Sequence, residues 1–139
     1  MTADRVLLYL LRVNAVVLLL AAPCAMLPFE WMDEVHQRLG LGQLTGSPLV
    51  RYLTRSLSLL YAMHGAVILT VTLDWARYRS LAPVIAWLHI GFGCAMLVVA
   101  LDSDLPGWWA AGEGPSLVLY STVQLVLYRR ASRTGRDGR

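Results

Sequence analysis

The chain carries little charge and no lysine. Only 15% of its 139 residues are charged, whereas a soluble domain normally has about 25%. Hydrophobic residues make up 57% of the sequence, the mean hydropathy is +0.54, and all twelve basic residues are arginine. This composition is not that of an ordinary soluble domain. It indicates a membrane protein with one helical bundle and no second domain.

Recognisable catalytic and metal-binding patterns are also lacking. The two cysteines, Cys24 and Cys94, lie in apolar stretches and form no CxxC or Cys/His spacing. The sequence has no phosphate-binding loop and no internal repeat of the kind seen in duplicated transporters. Ser58 and His64 point in different directions on one helix, so they are not a nucleophile–base pair. These absences favour a binding or accessory protein over an enzyme.

Four stretches are apolar enough to predict an all-α, four-helix transmembrane bundle. The fourth would be too short for a bilayer if it began at Pro115, so we place its start near Pro106, capped by Ser103 or Asp104. The first stretch is interpreted as an uncleaved span because Arg12 interrupts its apolar run. The predicted spans are residues 5–27, 48–73, 81–101 and 106–129.

The arginines predict the orientation of the bundle. Nine of them fall on one side of the predicted membrane, including five in the last eleven residues, and three fall on the other. Cytoplasmic loops are enriched in basic residues. We therefore expect both termini to be cytoplasmic, with a membrane domain over 1–130 and a basic tail over 131–139. The tail indicates contact with anionic lipid rather than nucleic acid, and the expected location is the bacterial inner membrane, as a multi-pass protein.

The first outer loop, residues 28–48, contains an amphipathic pattern. Trp31, Met32, Val35 and Leu39 share one helical face, and charged residues occupy the rest. This pattern predicts a short helix lying in the membrane interface, and a surface for a partner protein is the alternative.

A polar stripe marks the outer half of the second predicted span. It comprises Arg51, Thr54, Arg55, Ser58 and Tyr61. Unsatisfied polar groups are costly in lipid, so we expect the stripe to face the bundle. Arg51 is close enough to the interface to extend its charge into water, but Arg55 is one turn deeper and is expected to need a partner.

The fourth span and the loop before it provide the expected partners. Glu113 would lie in the outer leaflet, where Gly114 and Pro115 predict a break or kink, and Asp102 and Asp104 lie nearby. Polar groups on broken helices often form binding sites in membranes. The predicted ligand-binding residues are Arg51, Arg55, Ser58, Tyr61, Asp102, Asp104 and Glu113. A purely structural arginine–carboxylate cluster is the alternative.

His64 and His89 lie at similar predicted depths on the second and third spans. Two histidines on neighbouring helices suit a bis-histidine haem or a metal ion, although packing histidines explain them equally. Nearby small residues allow either a haem pocket or close helix packing through Gly91-xxx-Ala95 and Ala62-xxx-Ala66. The cofactor is therefore left open, with haem as one alternative.

Three stretches carry a resemblance. With "RYLTRSLSLLYAMHG", "LDWARY" and "LPGWWAAGEGP", the chain resembles an uncharacterised family of small four-span bacterial membrane proteins over most of residues 5–130. In outline it is also similar to DoxX-like bundles. The resemblance implies a four-span fold and no functional residues.

The predicted function is that of a small integral membrane protein with a polar outer-leaflet site between the second and fourth spans. We expect that site to bind a small molecule, a lipid or a partner. An accessory subunit with a structural cluster and a haem redox protein remain alternatives. The expected partners are the lipid bilayer and either a second copy or another membrane subunit.

Overall fold

A computed structural model describes residues 2–103 and 105–134 of the chain. These residues form helices joined by short connections, without a β-strand among them. In chain order the elements are α1 (Ala3–Leu19), α2 (Ala21–Cys24), α3 (Phe29–Arg38), α4 (Pro48–Leu73), α5 (Trp75–Tyr78), a 3₁₀ turn (Arg79–Leu81), α6 (Ala82–Asp102) and α7 (Gly107–Thr134).

Three helical segments of the described chain are long and apolar enough to cross a membrane. They are Ala3–Cys24, Pro48–Leu73 and Trp75–Asp102. Large apolar side chains remain exposed along them, such as Val17, Leu60 and Leu88, at 59%, 55% and 66% exposure. A soluble protein rarely exposes so much contiguous apolar surface. The chain is therefore an all-helical protein with the character of a membrane protein.

The described chain divides into two compact units. The first unit is Arg12–Thr70, which holds most of α1, α2, α3 and most of α4. The second unit comprises the described residues of Met1–Leu11 and Val71–Arg139, which include the start of α1, the end of α4, and α5 to α7.

Two glycines bring α6 and α7 together in the second unit. A Cβ on Gly93 would lie 2.8 Å from the carbonyl oxygen of Gly114, and one on Gly114 would lie 2.5 Å from that of Gly93. The helices run antiparallel, because Gly93 meets Val118 while Gly114 meets Leu97. Small residues at such a crossing let the backbones approach closely. The contact leaves no room for any side chain at either position.

A glycine serves the same purpose in the first unit. A Cβ on Gly65 would lie 2.8 Å from the Ala15 carbonyl oxygen and 2.9 Å from the Leu18 side chain. Helices α1 and α4 therefore pack backbone to backbone at this point.

The small-residue pairs predicted from the sequence were wrong in their positions. A Cβ on Gly91 would meet no described atom within 4 Å, and both Gly91 and Ala95 are exposed. Ala62 is buried, but Ala66 is exposed. Both helices do pack through small residues. However, α6 packs through Gly93, which is two residues after the predicted Gly91 and lies on a different face of the helix. Spacing alone does not tell which of several glycine-bearing faces meets a neighbour.

Helix α7 does not break at Pro115. It is α-helical from Gly107 to Thr134, with Pro115 inside it, so a break at this point is wrong, whereas the kink predicted as its alternative stays a prediction. Proline removes one backbone hydrogen bond from a helix. The adjoining Gly114 packs against α6, and this tertiary contact holds the helix together across the missing bond.

The first apolar stretch is interrupted at Leu20. Helix α1 ends at Leu19, and the short α2 follows over Ala21–Cys24. Pro23 lacks the N–H that would bond to the Leu19 carbonyl, which explains the interruption there. Further on, the helix predicted for the first loop is confirmed as α3, whereas its location in the membrane interface stays a prediction.

Candidate functional site

A shallow groove runs along the beginning of α4 in the first unit. Its volume is about 460 Å³, and it is lined by Pro48, Arg51, Tyr52, Arg55, Ser56 and Leu59. Ser47 begins the helix, because its hydroxyl accepts a hydrogen bond from the Val50 N–H at 3.2 Å. This is the usual N-cap arrangement. It places Arg51 in the first turn and Arg55 one turn later on the same side.

Arg51 is exposed and is oriented by an aromatic ring. Its guanidinium carbon lies 4.9 Å from the centroid of the Phe29 ring, and Phe29 itself is only 8% exposed. A cation over a ring face is attracted by the electron density of that face. The buried ring therefore provides a fixed platform, while the charge remains accessible to a ligand.

The loop beside Arg51 is fastened to α3 by one carboxylate. Asp33 Oδ1 accepts a hydrogen bond from the Leu44 N–H at 2.7 Å, and Oδ2 accepts one from Gln37 Nε2 at 2.8 Å. The chain reverses through Gly40 and Gly42, which have φ angles of 72° and 82° and suit glycine best. Asp33 thus sets the course of the loop that leads into Arg51.

The remaining predicted residues on α4 differ in exposure. Arg55 is exposed, whereas Thr54, Ser58 and Tyr61 are half-buried. The Ser58 hydroxyl donates to the Thr54 carbonyl at 3.0 Å, and the Thr54 hydroxyl donates to the Val50 carbonyl at 3.0 Å. These donors are used within the helix. Of the predicted stripe, only the two arginines line the groove.

Glu113 belongs to a different groove, in the second unit. Trp109 Nε1 donates to Glu113 Oε2 at 2.8 Å, and a groove of about 310 Å³ is lined by Trp108, Trp109, Gly112, Glu113 and Ser116. The carboxylate is therefore held by a residue of its own helix, one turn earlier. This indole contact was not foreseen from the sequence, although the spacing of four residues between Trp109 and Glu113 permits it.

Of the other two predicted carboxylates, the structure describes only Asp102. Asp102 is exposed and is the last residue of α6. Asp104, with its proposed capping role, lies outside the described residues. The pairing of Arg51 and Arg55 with Glu113, Asp102 and Asp104 stays a prediction.

The two histidines have different surroundings. His64 is half-buried on α4 in the first unit, and His89 is 6% exposed on α6 in the second. Within the described part of the chain, no three His, Cys, Asp or Glu side chains come together as metal ligands. The haem alternative needs only two histidines and is not tested by that observation.

Sequence reasoning missed Tyr52, Ser56 and the platform residue Phe29. Tyr52 and Ser56 lie outside the polar stripe on the helix, so a search for one continuous stripe passes over them. Phe29 precedes Arg51 by more than twenty residues, and no local pattern connects the two. The available signal was the amphipathic pattern of the first loop, which was interpreted as an interfacial helix or a partner surface and not as a contact with the second span.

Comparisons of the chain with protein-family models, with curated proteins and with solved structures find no match. The functional assignment therefore rests on the side chains of the chain itself.

Proposed function

We propose that this protein is a small four-span membrane protein that binds an anionic group in the groove formed by Arg51 and Arg55. The ligand carries a phosphate or a carboxylate and is a lipid or a small molecule. The proposed location is the bacterial inner membrane, with both termini cytoplasmic and the groove towards the outer side.

The fourth crossing is proposed for α7. Its 28 residues would extend about 42 Å at a rise of about 1.5 Å per residue, which exceeds a hydrocarbon core of about 30 Å. Exposed apolar residues along it, including Leu119, Val123 and Val126, support contact with lipid. The excess of arginine on one side supports cytoplasmic termini.

The groove carries the functional proposal because Arg51 and Arg55 are both exposed and both line it. Arginine presents a planar array of donors that matches the oxygens of phosphate and carboxylate groups. The Phe29 ring contacts the guanidinium group of Arg51, so the Arg51 side chain loses less conformational freedom when a ligand binds. Tyr52 and Ser56 add hydroxyl groups to the same groove.

Native mass spectrometry of the full chain in mild detergent tests this proposal. We expect the wild type to retain an anionic adduct that the Arg51→Gln/Arg55→Gln variant loses. Arg38→Gln is the matched control, because Arg38 is an exposed arginine of the same unit that pairs with Glu34 at 2.6 Å outside the groove. An unchanged number of anionic adducts in the double variant would contradict the proposal, as would a bare wild-type chain. An adduct with the mass of a polypeptide would indicate that the protein binds a partner subunit instead of a lipid or a small molecule.

A further inference from the structure

A second arginine site lies in the second unit, where Arg79 is held from two sides. Its Nε lies 2.9 Å from Asp4 Oδ1, and its guanidinium carbon lies 5.4 Å from the centroid of the Tyr128 ring. The other oxygen of Asp4, Oδ2, accepts a hydrogen bond from Trp75 Nε1 at 3.0 Å. Residues from the start of α1, from α5 and the turn after it, and from the end of α7 therefore meet at one place.

These contacts leave the terminal nitrogens of Arg79 available. Asp4 approaches Nε, and Tyr128 contacts the flat face of the group. Among the described residues, neither Asp4 nor Tyr128 forms a hydrogen bond with an Nη group of Arg79. The Arg79 side chain is 33% exposed. Two parallel N–H donors fixed in direction are the arrangement by which arginine binds a phosphate in bidentate fashion.

The surroundings of Arg79 are strongly basic. Because Arg79 contacts both Asp4 and Tyr128, the nearby residues Arg5, Arg77 and Arg129 lie at the same end of the unit, and all three are exposed. Two carboxylates are found among these segments. Asp4 is already engaged, and the other, Asp74, accepts a hydrogen bond from the Arg77 N–H at 3.3 Å as the cap of α5. The local field therefore attracts anions.

A lipid fits this place better than a dissolved anion. The apolar segments Ala3–Cys24 and Trp75–Asp102 both begin here, so the phosphate layer of a bilayer that surrounds them lies at this level. Trp75 and Tyr78 add aromatic side chains of the kind found at membrane interfaces. Clusters of arginine next to membrane helices attract anionic headgroups.

We infer that the Arg79 guanidinium binds the phosphate of an anionic phospholipid. Asp4 and Tyr128 act as positioning residues that direct its two Nη groups towards the headgroup. Arg77, which is exposed and lies over the Tyr78 ring, supplies a second charge. This site is separate from the Arg51/Arg55 groove, and its test does not depend on that groove.

The test compares lipid retention by the full chain after exposure to phosphatidylglycerol or phosphatidylcholine in mild detergent, measured by native mass spectrometry. The main variant is Asp4→Asn/Arg79→Gln. It removes one charge of each sign, so the net charge of the chain is unchanged and no unpaired charge is left behind. We expect its preference for phosphatidylglycerol to fall about tenfold, as the loss of one charge-assisted bidentate contact implies.

Two single variants separate orientation from charge. Arg79→Lys keeps the charge but removes the two parallel N–H donors, so we expect most of the preference for phosphatidylglycerol to be lost. Asp4→Asn keeps Arg79 but weakens its alignment, so we expect a smaller loss, about threefold. Circular dichroism confirms that each variant is folded, and Arg38→Gln should retain lipid as the wild type does.

Three results would overturn the inference. The first is an unchanged lipid preference in the Asp4→Asn/Arg79→Gln variant. The second is wild-type preference in Arg79→Lys, which would assign the effect to charge alone. The third is displacement of the lipid by excess inorganic phosphate, which would make the ligand a soluble anion. Loss of the adduct in Arg51→Gln/Arg55→Gln has no bearing on this site, so the two proposals fail separately.

Discussion

The two units pack in a similar way, but their arginines differ in the contacts that they make. Each unit has a helix crossing at which a glycine lies against the backbone of the neighbouring helix. Each also has an arginine over an aromatic ring, Arg51 at 4.9 Å from Phe29 and Arg79 at 5.4 Å from Tyr128. Arg79 has in addition a carboxylate at 2.9 Å, whereas Arg51 and Arg55 are exposed along a groove.

The difference indicates what each arginine contributes. An arginine with its own carboxylate stabilises the fold and offers only part of its hydrogen-bonding capacity to a ligand. An exposed arginine contributes little to stability, because solvent or headgroups satisfy it equally well when the protein is unfolded. We therefore expect substitutions in the second unit to affect stability and ligand binding together, and substitutions of Arg51 and Arg55 to affect binding alone.

The largest effect is expected at the glycine crossings, and it tests whether the units really pack alike. Gly114→Ala and Gly65→Ala should each lower the free energy of unfolding by about 2 kcal/mol, because the new methyl group overlaps a backbone oxygen. Gly91→Ala is the control, since that position faces open space. Unfolding in mixed detergent micelles, followed by circular dichroism, measures all three. A tolerated Gly65→Ala would show that the first unit packs more loosely.

A smaller effect is expected when Arg79 loses its carboxylate. Asp4→Ala removes a partly exposed ion pair and the acceptor for the Trp75 indole, so we expect a loss of about 1 kcal/mol. Glu34→Ala is the matched control, because its pair with Arg38 is largely exposed on α3 and should cost less than about 0.5 kcal/mol. Equal losses in the same unfolding assay would remove the distinction between a held and an exposed arginine.

The smallest effect is expected for Arg55. Arg55→Gln should change the free energy of unfolding by less than about 0.5 kcal/mol, as surface substitutions usually do. A loss of about 3 kcal/mol or more would instead indicate a buried structural pair and support the alternative of an arginine–carboxylate cluster. In that case Glu113→Gln should lose a similar amount, and the double variant should be more stable than the sum of both losses predicts.

The helices were well predicted where the signal was local. The long apolar run of α4, the amphipathic face of α3 and the length argument that moved the start of α7 towards Pro106 all depend on residues close together in sequence. Of the break or kink predicted at Pro115, the break was wrong, because a tertiary contact through Gly114 outweighs a local preference. Local rules do not include such contacts.

The two candidate sites were harder to predict from the sequence, because they too depend on tertiary contacts. Arg51 and Arg55 were identified because two charges interrupt an apolar helix, which is a local anomaly. The cluster around Arg79 joins Asp4 to residues more than seventy positions away, and each member alone is typical of a membrane interface. The cluster becomes visible only when the fold brings these ordinary residues together.

The crossing of α6 and α7 also provides a pattern for recognising relatives. Gly93 and Gly114 each occupy the space that the other would need for a side chain, and Leu97 and Val118 close the contact from either side. A larger residue at either position fits only if the helices move apart, so we expect the two positions to vary together. A glycine followed four residues later by a bulky aliphatic residue, occurring once in each of two successive helices, is therefore a signature that can be sought in distant sequences whose overall identity is too low to align.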